Sequence, residues 1–339
     1  MSNPEPRAVV FGCAGLTLSA DERAFFRDTD PLGFILFARN CERPDQVRAL
    51  VAALRDAVGR GDAPVLIDQE GGRVARLTPP HWRRYPAPAT IAALGGTVAA
   101  EAAFLSARLI ADDLAALGIT VDCLPVLDIP VAGADAVIGD RAYGSDPGTV
   151  ARLAGAVCEG LLAGGVLPVI KHIPGHGRAT VDSHAALPTV SVDRATLEAS
   201  DFAPFRALAD MPWAMTAHIV YTALDATAPA TLSPKVIREV IRTSIGFDGV
   251  LVSDDLSMNA LGGGLGERAA RSLAAGCDVV LHCNGDRREM EAVAASSTPL
   301  SMAARRRVSR AEAMRQAPQP LDRAAVEARL DALLGKPAA

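Results

Sequence analysis

The stretch "KHIPGHGRATVDSH" at 171–184 holds three of the chain's six histidines together with Lys171, Asp182 and a run of small residues. Four kinds of chemistry draw on such residues: a metal site, a Schiff-base lysine, a phosphate loop and a histidine–carboxylate pair. His172 and His176 have the i,i+4 spacing of helical zinc ligands, but Pro174 and Gly175 between them break a helix. Ile173 also stands where a zinc protease carries its glutamate. "PGHG" runs into Arg178 and not into the GK[ST] that seats a phosphate. A nucleophilic Lys171 requires a depressed pKa and leaves Asp182 and His184 without a task. In the fourth reading a carboxylate lies beside an imidazole. An ordinary histidine titrates near 6.5, and a rise of about one unit, roughly 1.4 kcal/mol, leaves it largely protonated at neutrality. Such a group gives a proton and later takes one back. A surface turn ordered by an Asp–His contact accounts for the local sequence equally well.

Other polar groups stand where apolar runs stop: Asp68 and Glu70, Asp122 and Asp128, His218, Asp254 and Asp255, and His282. Each alone is explained as a helix cap or a satisfied histidine. As a set they suggest a polar cleft for a substrate rich in hydroxyls. Cys277, His282 and Cys283 have only a weak metal-ligand spacing, and most of that segment reads as a buried strand.

The elements that must carry these groups recur regularly. Short apolar runs at 8–15, 33–37, 64–70, 118–125, 165–172, 212–219, 249–255 and 277–283 read as strands buried on both faces of a parallel sheet. Amphipathic segments at 44–59, 98–117, 148–163, 193–210, 233–244 and 265–275 read as helices between them. Ser233, Pro234 and Gly246 supply cap, first turn and stop for one of these. Eight strand–helix units predict an α/β fold, a closed (β/α)8 TIM barrel with room for an irregular strand. An open doubly wound sheet is disfavoured, because "FGCAG" after the first strand lacks GxGxxG spacing. Residues 1–339 are expected to form one catalytic domain, with 300–339 as a helical extension packed outside the barrel. The Pro-rich connection 77–96 is placed to help wall the mouth. In such a barrel the catalytic groups gather at the C-terminal strand ends, where the polar residues fall.

Four motifs in this order, "IDQEGGRVAR" (67–76), "IGDRAYGSDP" (138–147), "KHIPGHGRATVDSH" (171–184) and "GVLVSDDLSMNA" (249–260), resemble the family 3 glycoside hydrolases. The likeness runs from roughly residue 8 to 290 and is specific to the bacterial single-domain β-N-acetylhexosaminidases of cell-wall recycling, through the "DSH" loop. It implies a retaining exo-glycosidase that removes terminal β-linked N-acetylglucosamine, through a covalent glycosyl–aspartate, from peptidoglycan fragments such as N-acetylglucosaminyl-1,6-anhydro-N-acetylmuramyl peptides. It further implies Asp254 as nucleophile, His184 as acid/base assisted by Asp182, and Asp68, Arg76, Arg141, Lys171 and His172 as sugar-binding residues. Ile173 departs from the family's usual phenylalanine, a change of packing more than of chemistry. Strand parity alone does not choose between Asp254 and Asp255, which should point in opposite directions. Phosphorolysis, with phosphate in place of water, and a catalytically silent sugar-binding barrel are the alternative functions.

Bulk properties set the remaining expectations. Half of the 339 residues are apolar, 22% are charged, and the formal net charge is -5, which gives no reason to expect a nucleic-acid partner. No run approaches the length of a membrane span, and "MSNPEPRAVVFGCAG" does not read as a signal peptide. Six cysteines in a chain this long are not a disulfide framework, and Cys13, Cys123 and Cys277 are expected to be reduced core residues. The expectation is a cytoplasmic enzyme with a small saccharide or muropeptide substrate, no membrane partner, no cofactor and no metal. The sequence does not fix an oligomeric state, and a monomer is favoured.

Overall fold

Parallel strands need crossover connections, and nearly continuous apolar runs need cover on both faces; the chain meets both demands by closing its sheet. A computed structural model describes residues 5–335. The first four residues of the N-terminal stretch and the last four of the 300–339 extension lie outside the described residues. Ten strands occur in chain order: β1 Arg7–Phe11, β2 Pro31–Leu36, β3 Val65–Ile67, β4 Val121–Asp122, β5 Leu167–Ile173, β6 Thr189–Val190, β7 Trp213–Thr216, β8 Val220–Tyr221, β9 Val250–Asp255 and β10 Val279–His282. Eight of them form a closed barrel in the order β1-β10-β9-β7-β5-β4-β3-β2, and β6 pairs only with β8 beside it. Every barrel pairing is parallel. The eight expected strands are therefore present, and the irregular one is β4, with two residues.

Period-two alternation sorts the strand side chains into two cores. Val10, Leu66, Val121, Val169, Trp213, Met215, Val250, Val252 and Val279 fill the barrel interior. Val9, Phe11, Phe34, Ile67, Ile170, Leu251 and Val280 face outward into the helical layer. Each large apolar side chain so buried contributes about 1.5–3 kcal/mol.

The helical layer starts with Ala20–Thr29, opened by a capping box between Ser19 and Glu22. The expected helix over 193–210 is broken into Arg194–Ala199 and Ala203–Ala207. Ser200 and Asp201 between the two pieces bond Arg178, and Pro204 opens the second. The helix after Ser233 spans Val236–Ile245, with the Ser233 hydroxyl accepting from Val236 N and Gly246 at φ 84° as its stop.

Two helices follow the barrel. Met302–Met314 lies under its N-terminal end, with Leu300, Ala304 and Ala311 packed into the interior core. Arg323–Leu333 packs outside, on the helix Gly96–Ala115. The connection 77–96 does not wall the mouth. Its Trp82 and Tyr85 are buried in the outer core, Tyr85 OH donates to Asp113, and Arg83 pairs with Asp331.

Candidate active site

At the C-terminal end of the strands the interior parity continues from apolar into ionisable side chains. Leu66 on β3 is followed at the same parity by Asp68 and Glu70, Val169 on β5 by Lys171, and Val252 on β9 by Asp254. A cavity of about 320 Å3 opens there. Its lining includes all eight residues singled out in the sequence: Asp68, Arg76, Arg141, Lys171, His172, Asp182, His184 and Asp254. A larger cavity, about 750 Å3, lies at the opposite end against Trp213, Leu300 and Val308, away from this cluster. Chemistry, not size, locates the site.

A chain of ion pairs builds one wall. Lys171 Nζ lies 2.8 Å from Asp68 Oδ1 and 2.7 Å from Glu70 Oε1. Arg141 grips Glu70 with two parallel bonds of 2.8 and 2.9 Å, and Arg76 Nη2 donates to Asp68 Oδ2 at 3.0 Å. The Arg76 guanidinium also lies 5.2 Å from the centre of the Phe37 ring. Burial pushes the Asp68 and Glu70 carboxyls up, but Lys171 and the neighbouring arginines outweigh it and hold both below the ordinary carboxylate range. Burial pulls Lys171 down, and Asp68 and Glu70 more than restore it, so the ammonium is held above its usual value. That is the reverse of what a Schiff-base nucleophile requires.

The opposite wall carries the histidines. Asp128 Oδ2 accepts from His172 Nδ1 at 2.7 Å, and Asp128 Oδ1 accepts from the backbone N–H groups of His172 and His176. Holding Nδ1 in this way leaves His172 Nε2 as the ring nitrogen free to meet a ligand. Asp182 Oδ1 lies 2.8 Å from both the backbone N and the ring Nδ1 of His184. Burial raises the Asp182 carboxyl, and the two His184 contacts carry it below its ordinary value. The imidazole thus keeps Nδ1 on the carboxylate and its Nε2 available, the arrangement a proton carrier needs.

Asp254 and Asp255 both line the cavity, but their partners differ. Asp254 follows the interior residues Val250 and Val252, and its Oδ1 accepts from the Asp255 N–H at 2.8 Å. Burial raises this carboxyl, and the imidazoles of His172 and His218 with the Asp255 N–H hold it below its usual value. The N–H carries more weight than His218, because burial keeps that ring below its own ordinary pKa and uncharged near neutrality. Asp255 instead accepts from Ser257 N, Ser257 Oγ and Cys283 N, and its carbonyl lies 3.0 Å from His218 Nε2. It ties the end of β9 to β10 and to the following turn.

Two residues of this constellation, Glu70 and Asp128, belong to the polar set that the sequence places at the strand ends but receive no role there. Glu70 shares the parity of Asp68, the signal that could have assigned it to the same wall. Cys277, His282 and Cys283 do not converge: Cys283 lines the cavity, Cys277 lies 3.8 Å from the Thr231 carbonyl, and His282 lies 3.4 Å from Glu289. Among the described residues no group of three or more His, Cys, Asp or Glu is placed to hold a metal ion, and all six cysteines are free thiols.

Residues 12–312 match the model of the glycosyl hydrolase family 3 N-terminal domain. A β-hexosaminidase of Alkalilimnicola ehrlichii is 42% identical over 283 residues, covering 81% of this chain and 80% of the relative. Among solved structures, NagZ from Neisseria gonorrhoeae in complex with N-trifluoroacetyl-D-glucosamine superposes with a TM-score of 0.87 at 33% identity, covering 98% of this chain and 100% of that one. A family 3 β-N-acetylglucosaminidase from Paenibacillus gives 0.81 at 34% identity; 98% of this chain is covered, and it spans 62% of that larger protein.

Proposed function

The chain belongs to glycosyl hydrolase family 3, and from that premise we propose how its cavity divides the labour of a retaining glycosidase. It is a β-N-acetylhexosaminidase acting on saccharides that end in N-acetylglucosamine. Asp254 attacks the anomeric carbon while His184 Nε2 gives its proton to the leaving oxygen. Water then attacks the glycosyl–Asp254 ester, and the same nitrogen, now bare, takes up the water's proton. Asp182 keeps Nδ1 protonated and steadies the imidazolium when it forms. The observation that carries the reading is an ionised, half-buried Asp254 sharing one cavity with an Asp182–His184 pair whose Nε2 is uncommitted.

Asp68 accepts from sugar hydroxyls with the lone pairs that Lys171 and Arg76 leave open. Arg141, Lys171 and His172 Nε2 supply the opposing donors. We assign the whole chain to a single catalytic domain with the 300–339 segment as its extension. The natural substrate in this reading is a muropeptide fragment of peptidoglycan, met in the cytoplasm. Among the described residues no helix is long and apolar enough to cross a membrane.

The test uses two variants and two classes of glycoside. Asp254→Ala is expected to lower kcat by about ten thousandfold or more on any N-acetylglucosaminide. His184→Ala should lower kcat/KM on an alkyl glycoside by about a hundredfold or more, and far less on a dinitrophenyl glycoside whose leaving group needs no proton. Near-normal turnover by Asp254→Ala, or equal losses on both substrates for His184→Ala, overturns the assignment. Release of sugar 1-phosphate when phosphate is added would replace hydrolysis by phosphorolysis.

A further inference from the structure

The loop that carries Asp182 and His184 leaves β5 at Ile173 and is tied down closely as far as Ala179. Tyr221 OH donates to the Gly175 carbonyl at 2.6 Å, His176 N to Asp128, Val131 N to the Gly177 carbonyl and Asp135 N to the Ala179 carbonyl. Arg178 reaches Asp201 and Ser200. The loop is fixed again at Pro188, whose carbonyl accepts from Val220 N. Between these anchors, from Thr180 to Leu187, the hydrogen bonds that leave the stretch both belong to Ser183, among the described residues. Its Oγ lies 3.0 Å from His176 Nε2, and its carbonyl accepts from Ala260 N at 3.2 Å. Ser183 is 2% exposed, whereas the side chains of Asp182 and His184 on either side are 38% and 67% exposed. One buried residue therefore holds down a stretch whose reactive groups are open to solvent.

Both partners of Ser183 lead back to the reaction centre. His176 is buried and is fixed by Asp128, the carboxylate that also holds Nδ1 of His172. Ala260 lies on the turn that follows Asp254 along β9. We infer that the Ser183–His176 hydrogen bond is a latch that sets the position of His184 over the cavity, making Ser183 and His176 positioning residues for proton transfer and not for sugar binding. The inference rests on the reading of His184 as acid/base. Burial and the neighbouring His172 push His176 down to about 4, so the ring is neutral at working pH and acts as a fixed hydrogen-bonding partner. The need for a latch is geometric, since a misplacement of about 1 Å can cost roughly a hundredfold in rate.

The experiment compares Ser183→Ala with Ser183→Thr, which keeps the hydroxyl, and with His184→Ala, on alkyl and dinitrophenyl N-acetylglucosaminides. Ser183→Ala is expected to lose about tenfold or more in kcat/KM on the alkyl substrate and less than about threefold on the activated one. Its alkaline limb, which reports the acid, should weaken on the alkyl substrate only. Inhibition by free N-acetylglucosamine should stay within about twofold, and Ser183→Thr should regain most of the lost rate. Equal losses on both substrates, no loss at all, or inhibitor binding weakened in step with kcat/KM would overturn the latch. If Ser183→Ala is indifferent to the leaving group while His184→Ala discriminates, only the latch fails. If neither discriminates, the reading of His184 fails and takes the latch with it.

Discussion

Glu70 exposes none of its side chain, and it meets two cations at once, Arg141 through both carboxylate oxygens and Lys171 at 2.7 Å. Removing it would leave two buried positive charges facing each other with Asp68 as their remaining counter-charge in the wall. Taking away one partner of a buried pair typically costs about 3–5 kcal/mol, much of it from the charge left behind. Glu70→Ala is therefore expected to fall in that range by urea denaturation and to weaken inhibition by N-acetylglucosamine, with Glu70→Gln between it and the parent. A loss below about 1 kcal/mol in Glu70→Ala would mean that the wall is solvated and that its pairs are worth little. At this scale the sequence made the types of the reacting groups readable, because Asp68, Lys171, Asp182, His184 and Asp254 sit in motifs with recognisable spacing. It could not make the role of Glu70 readable, since its guanidinium partner stands 71 residues away and only barrel closure brings the two together. The same holds for Lys171: the residue suits a nucleophile, and its carboxylate neighbours decide otherwise.

The elements set where those side chains point. Asp254 and Asp255 were equivalent in the motif; the first shares the parity of the interior residues Val250 and Val252, while the carboxylate of the second is taken up by Ser257 and Cys283 N at the cavity's edge. Simple alternation does not sort the strand ends, since Lys171 and His172 on β5, like Asp254 and Asp255 on β9, are adjacent and both line the cavity. The pairing of β5 with β7 shifts register between Lys171 and Ile173, which no local pattern reveals. The continuous helix expected over 193–210 was wrong for a related reason, since the break at Ser200 and Asp201 receives Arg178 from the acid/base loop. That loop passes so close to Ile129 that a Cβ on Gly177 would overlap the Ile129 carbonyl, a backbone atom with no freedom to step aside. Gly177→Ala should accordingly displace the loop between its two groups of anchors, costing about 1–3 kcal/mol of stability. Because His176 is the preceding residue, activity on an alkyl glycoside should fall further than on an activated one. An unchanged melting temperature together with unchanged kcat/KM would show that the close approach has slack.

Over the whole molecule, the barrel has a chemical end and a structural end. At the structural end the helix Met302–Met314 closes the floor with Leu300, Ala304 and Ala311, and Val308 packs partly buried beside them. The sequence placed this segment only as part of a helical extension outside the barrel, since small alanines that fit close against a barrel end leave no strong apolar stripe. Closure itself was legible from the count of apolar runs; the floor was not. The polar end pays no such attention to apolarity, and there the molecule buries imidazoles: His176, His218 and His282 are each pushed below the ordinary value by burial first. Each takes up its proton in the unfolded chain near 6.5 but resists it when folded, so stability falls as pH drops below 6.5. For His176 the fall continues down to about 4, where the folded ring also protonates. Asp122 works in the opposite sense, since burial raises its carboxyl well above the usual range and acidification relieves that cost. The raw pH profile therefore mixes opposing groups, and a difference between two proteins isolates one of them. His176→Gln removes a single depressed base and leaves Asp122 in place. Between pH 6.5 and 5 the parent should lose about 1.6 kcal/mol more unfolding free energy than His176→Gln, the slope rising from half to nearly all of about 1.4 kcal/mol per pH unit as the unfolded ring fills with protons. Urea titrations at the two pH values measure it directly. Parallel profiles for the two proteins would mean that His176 protonates as readily in the folded chain as in the unfolded one, and that its burial against Asp128 and Ser183 does not exclude the charge.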